Sequence, residues 1–270
     1  MNTRLPFRLW LWCNLAGLAQ APVQAQGFAA YVSPPRLELR LQAGERKREV
    51  IEIQHAGQTE GNYRLYTADW KMDSNGGASF STELAPGSCR PWVAIERRQL
   101  TLAPGARYRY RIEVNAPPDS PSGECRFALM VEGQDPMRMQ NDVNFPVGGR
   151  IGVIVYVAVG SAAPRLELVA AHWEDTPKGP QPVLELRNTG HAHTRLDGVL
   201  KGTDQNGVAS EWTPIDTPIL PGETRKIPLR PIFDANTSPR LPQSLRPPLK
   251  LKGALEWGDE QLPLDVTLPP

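Results

Sequence analysis

The pentapeptide Pro35-Arg36-Leu37-Glu38-Leu39 returns as Pro164-Arg165-Leu166-Glu167-Leu168, 129 positions later in a chain of 270 residues. Two further landmarks return at comparable offsets. Ile51-Glu52-Ile53-Gln54-His55-Ala56-Gly57 alternates apolar and polar residues into a turn, and Leu184-Glu185-Leu186-Arg187-Asn188-Thr189-Gly190 repeats that form. Leu102-Ala103-Pro104-Gly105 precedes the alternating run RYRYRIEV, as Leu220-Pro221-Gly222 precedes TRKIPLRP. Unequal offsets are what two diverged copies of one unit with different loop lengths produce. The chain therefore reads as a signal segment over 1–25, a first unit over 26–160 and a second over 161–270, divided at the small-residue stretch Gly160-Ser161-Ala162-Ala163-Pro164.

Both units read as all-β. With 28 prolines and 23 glycines, few windows of helical length escape a breaker. Strand signals recur instead: Leu37 to Leu41, Val50 to Ile53, Tyr63 to Trp70, Ile95 to Leu102, Tyr108 to Val114 and Cys125 to Val131 in the first unit. In the second they are Leu166 to Trp173, Val183 to Arg187, Gly198 to Gly202, Pro218 to Leu220, Arg225 to Leu229, Leu249 to Trp257 and Leu262 to Leu268. Pro231 to Pro248 reads as a long loop. Short strands separated by regular turns predict two tandem immunoglobulin-like sandwiches.

The first 25 residues have the form of a secretory signal: Arg4 and Arg8 without an acid, an apolar core from Leu9 to Ala19, and Val23-Gln24-Ala25 before cleavage after Ala25. That core is too short to span a bilayer. An exported product without membrane insertion is expected. Without the signal the chain carries 28 basic and 29 acidic residues, a balance that calls for neither nucleic acid nor an anionic membrane. Cys13 leaves with the signal, and the pair Cys89 and Cys125 reads as one disulfide in an oxidising compartment. Closing that loop contributes roughly 3–4 kcal/mol in the chain-entropy model. Two buried thiols or a metal site are the alternatives, and the chain offers no second ligand pair for a metal.

No Gly-x-Ser-x-Gly, phosphate loop or dinucleotide fingerprint occurs, so neither an enzyme nor a cofactor is expected. His191-Ala192-His193 lacks the nearby acids or cysteines of a zinc site. Trp70 and Trp92 read as core residues, with Asp69 at a strand end.

The functional signal is NDVNFPVGGRIGVIVYVAVG, Asn141 to Gly160. Val143, Phe145, Val147, Ile151, Val153, Val155, Val157 and Val159 all fall on odd positions, giving one apolar face over more than about 50 Å of extended chain. Sandwich strands are usually about five or six residues long. Two readings stay open: a buried final strand preceded by an unrelated loop, or a final strand whose early half projects as an unprotected apolar edge that pairs with another chain. Pro146 suits an edge, and Gly148-Gly149 permits a bend.

The chain resembles the periplasmic pilus-assembly (PapD-like) chaperones. The matching pieces are VSPPRLELRLQAGE, YTADW, PWVAIERRQLTLAPG, PSGECRFALMVEG and RIGVIVYVAVG in the first unit and NTGHAHTRLDGVLKGTDQNG in the second. The resemblance implies a periplasmic chaperone that binds protein subunits of a pilus or similar surface fibre. It donates an apolar G strand to each subunit and works with an outer-membrane usher. It implies client contacts at Val143, Phe145, Val147, Arg150, Ile151 and Val153, and a carboxylate clamp begun by Arg36. The family's second clamp residue is a lysine on the G strand, whereas Ile151 to Val159 carries no charge and Arg150 is the nearest cation. The rival class is a structural or adhesive immunoglobulin-like component of a surface assembly.

Overall fold

The computed structural model describes residues 28–134, 137–138, 144–145, 149–177, 179–232 and 247–270, with the backbone alone at 137–138 and 144–145. The signal segment, Val143, Val147 and residues 233–246 of the long loop lie outside the described residues.

Two β sandwiches follow one another. The first contains β1 (Ala30–Ser33), β2 (Arg36–Leu41), β3 (Arg46–His55), β4 (Gly61–Met72), β5 (Ala78–Ser81), β6 (Val93–Ile95), β7 (Gln99–Leu102), β8 (Arg107–Asn115) and β9 (Gly123–Gly133). The short pair β10 (Met137–Arg138) and β11 (Asn144–Phe145) follows, and then β12 (Arg150–Val159). One layer has the order β1-β3-β8-β6, and the other β2-β12-β9-β4-β5, with β7 also against β4. Alternation explains the layers: Ile51 and Ile53 of β3, Tyr110 and Ile112 of β8, Phe127 and Leu129 of β9, and Val155 and Val157 of β12 all point into one core. Burial pushes the Tyr110 phenol up to about 12, and its hydroxyl donates to the Arg97 carbonyl at 2.5 Å.

The second sandwich contains β13 (Leu166–Thr176), β14 (Gly179–Asn188), β15 (Leu200–Thr203), β16 (Ala209–Pro214), β17 (Thr224–Pro231), β18 (Leu249–Trp257) and β19 (Glu260–Leu268). They run in the order β13-β14-β17-β16-β15-β18-β19 around Leu184, Leu186, Trp212, Ile227, Leu229 and Leu251. The repeated landmarks occupy matching places: β3 pairs antiparallel with β8, and β14 pairs antiparallel with β17.

Several expected strands differ. Ile95 to Leu102 is two strands in different layers, because Glu96-Arg97-Arg98 carries the chain from β8 across to β4. Pro218 to Leu220 makes only an isolated bridge between Ile219 and Thr194. β1 and β16 were not legible: the first is four residues long, and the second has Trp212 as its one large apolar residue. Asp69 lies within β4, not at its end. Trp92 packs on the first core, but Trp70 lies on the outer face of the larger sheet with Met130, Tyr156 and Leu220 of the second sandwich.

Candidate functional site

Strand β1 pairs with β3, while β2 crosses to the other layer and runs parallel to β12. That pairing begins at Ile154, level with Arg36, and ends at Val159, level with Leu41. On its other side β12 pairs with β9 from Arg150 onward. Arg150 to Val153 therefore present one backbone edge without a strand partner among the described residues.

Other sheet edges are blunted by means that suppress pairing with another chain. β1, β5, β6 and β7 have three or four residues each, and the stretches that β1 and β6 leave without a strand partner carry charges: Arg46, Lys47, Arg48 and Glu49 on β3, and Arg107 and Arg109 on β8. β2 carries Arg36, Glu38 and Arg40. A bulge between Leu168 and Ala170 interrupts β13, and Pro263 removes a donor from the middle of β19.

The side chains of β12 divide by parity. Val153, expected to face a client, is fully buried in the core at 0 % exposure, and its main-chain groups face β9, as those of Gly149 do toward Gly133, so the open edge is presented by the backbone of Arg150 and Gly152. Ile151 is half-buried and Arg150 exposed at the open end. Phe145 is paired through its backbone with Met137, so this part of the ribbon is one arm of a hairpin. On the opposite face of β12, Gly152 lets Phe80 approach: a Cβ there would stand 2.9 Å from the Phe80 ring.

Arg150 lies four residues before the rung of Arg36, about 13 Å along an extended strand, and does not complete a clamp with it. Arg36 shares a cleft of about 470 Å³ with Arg195, Arg230, Asp197, Asp216 and Glu256. Its Nε lies 2.9 Å from Glu38 Oε1 and its Nη1 3.9 Å from Asp216 Oδ2. Arg195 Nη1 donates to Asp216 Oδ1 at 2.9 Å and to the Asp216 carbonyl at 2.8 Å. The second cation beside Arg36 thus comes from the second sandwich, with a carboxylate held between the two guanidiniums. The Asp216 side chain is 67 % exposed.

Three further contacts join the two sandwiches outside the lining of this cleft. His193 Nδ1 lies 2.5 Å from Glu124 Oε2, which also accepts from the His193 backbone N–H at 2.9 Å. The imidazole stacks on Tyr156, whose phenol is pushed up by burial and drawn back by Arg195. Buried Arg225 donates to the carbonyls of Asp73 and Ser74 and pairs with Glu223. Sequence reasoning missed Arg195, His193 and Arg225 because each acts across the two units.

The expected cysteine pair is joined: Cys89 and Cys125 form a disulfide between the β5–β6 connection and β9. Beside it, Asp69 accepts from Ser88 Oγ at 2.6 Å and from the Ala85 N–H, and pairs with Arg90 at 3.2 Å.

No protein-family model and no curated protein sequence matches the chain. Solved structures do. The chain resembles fimbrial chaperones. The YadV chaperone is 9 % identical over 89 % of this chain and 100 % of its own, with a TM-score of 0.48. A chain of the CsuC–CsuE chaperone-tip adhesion subunit pre-assembly complex, from archaic chaperone-usher Csu pili of Acinetobacter baumannii, is 15 % identical over 88 % of this chain and 98 % of its own, with a TM-score of 0.45. The E. coli chaperone DraB is 13 % identical over 89 % and 100 %, with a TM-score of 0.45.

Proposed function

We propose that this chain is a non-enzymatic periplasmic chaperone, exported by cleavage after Ala25, that binds secreted subunits of a pilus or similar fibre by pairing them along β12. The observation that carries this reading is the unpaired edge from Arg150 to Val153, kept open where the other edges are short, bulged, charged or interrupted by proline. An incoming strand would gain main-chain hydrogen bonds there, and the preceding apolar ribbon, Val143 to Val147, would set its register. Delivery to an outer-membrane usher belongs to the same proposal, as does division of the chain into folding units at Gly160 and Ser161.

Arg36 and Arg195 would hold the anchoring carboxylate of the subunit, with Asp216 occupying that place in the free protein. Two guanidiniums around one carboxylate suit the bidentate geometry of arginine. The test is co-expression with a secreted β-rich pilus subunit, followed by capture from the periplasm. Wild type should retain a subunit, and Arg36→Ala should retain much less at an unchanged melting temperature. Equal retention by both would remove the carboxylate anchor, and no retention by wild type would remove the chaperone reading.

A further inference from the structure

The outer face of the β1-β3-β8-β6 sheet has a charge that the whole chain conceals. Buried Tyr110, Ile112 and Val114 alternate along β8 with outward Arg109, Arg111 and Glu113. Cross-strand pairing places Arg107 beside Gln54 and Tyr31, Arg109 beside Glu52 and Ser33, Arg111 beside Val50, and Glu113 beside Arg48. Arg46 ends the rows. Five arginines thus stand against Glu52 and Glu113, an excess of three positive charges in a chain whose formal total is +1.

The two carboxylates do not neutralise this face. Arg46 and Arg48 share Glu113, at 3.2 and 2.6 Å. Arg107 reaches Glu52 at 3.4 Å, and Arg111 turns to the rim, where Glu96 already takes Arg97 and the Tyr108 hydroxyl. Arg109 has no carboxylate within 4.0 Å among the described residues. The cations on this face are all arginine, whose planar fork meets phosphate oxygens in pairs.

We propose that this face docks reversibly on an anionic phospholipid surface. Two observations favour a bilayer over an acidic protein. On the inner strands β3 and β8 the face's one outward apolar side chain is half-buried Val50, whereas protein interfaces concentrate their affinity in a buried apolar or aromatic centre. Its one large exposed apolar group, Tyr31, is 68 % exposed in the end row, a placement that suits the headgroup layer. The contacts of the second sandwich reach the other layer, through Arg36, Glu124, Tyr156 and the turn at Asp73. A protein held to a membrane by its arginine face keeps its cleft and the β12 edge free.

The test is co-sedimentation of the purified full chain with vesicles of phosphatidylglycerol and phosphatidylcholine, against vesicles of phosphatidylcholine alone. Wild type should bind only the anionic vesicles and release at about 1 M salt, where the screening length falls to about 3 Å. A variant combining Arg107→Gln, Arg109→Gln and Arg111→Gln should bind roughly a hundredfold more weakly, at about a factor of five per arginine, with its unfolding midpoint nearly unchanged. Absence of binding to anionic vesicles at low salt, or equal binding by the variant, overturns the proposal. Arginine-dependent binding of polyglutamate without binding to vesicles also overturns it, in favour of an acidic protein partner.

Discussion

The imidazole of His193 lies flat on the ring of Tyr156, with centroids 3.4 Å apart and planes 14° apart. This stack joins the second sandwich to the middle of β12, and the same imidazole meets Glu124, whose side chain is 1 % exposed. A carboxylate so placed depends on its partners. Removing one partner of a buried pair costs up to about 3–5 kcal/mol. His193→Ala should therefore lower the urea midpoint and, by loosening the seam, raise the radius of gyration in small-angle scattering. If neither quantity changes, the seam does not hold the sandwiches together.

The fold was legible where alternation is strong. β3, β8, β14 and β17 each place apolar side chains at every second position, and the matching landmarks in the two units pair alike. Legibility failed where a strand is short or its apolar signal is a single residue, as in β1 and β16. It failed again at Glu96-Arg97-Arg98, where three charged residues inside an apparent strand move the chain between layers. The seam was illegible for another reason. His193 meets a residue 69 positions away and Arg225 one 152 positions away, and no local pattern encodes such partners. The second cation beside Arg36 was sought on β12, whereas the guanidinium that shares Asp216 with it is that of Arg195, from the second sandwich.

Asp69 predicts acid sensitivity. Burial pushes its carboxyl up, but hydrogen bonds from Ser88, Ala85 and Arg90 and the Arg90 charge outweigh burial and hold it below the ordinary value of 3.8. A carboxyl depressed on folding contributes fully above that ordinary value, and the contribution is lost as pH falls through the lower, folded value. Asp69→Asn should therefore destabilise the protein at neutral pH and flatten the acid limb of the stability curve. An acid limb identical to wild type would show that Asp69 does not carry this dependence.

The disulfide gives a second stability test. Replacing Cys89 and Cys125 together by serine should cost roughly 3–4 kcal/mol in chemical unfolding. Alkylation of the native protein should label neither cysteine. Two labelled thiols would contradict the bond.

Asp216 gives a test confined to the cleft. Because it stands between Arg36 and Arg195 as a resident carboxylate, Asp216→Asn should free both guanidiniums without disturbing either core. Binding of a subunit peptide with a free C-terminal carboxylate should tighten several-fold, and its amidated form should gain nothing. Equal gains for the two peptides would mean that the cleft does not read the carboxylate.

The central claim is that a client strand pairs along the open edge of β12. Its most direct test is backbone amide exchange measured residue by residue, in the free protein and in a complex with a captured subunit. The account predicts new protection concentrated at the outward amides of Arg150 and Gly152, continuing into Asn144 and Phe145, with Ile151 and Val153, which face β9, and the β13 and β19 edges unchanged. Protection of the second sandwich alone, with Arg150 to Val153 exchanging as in the free protein, would contradict it.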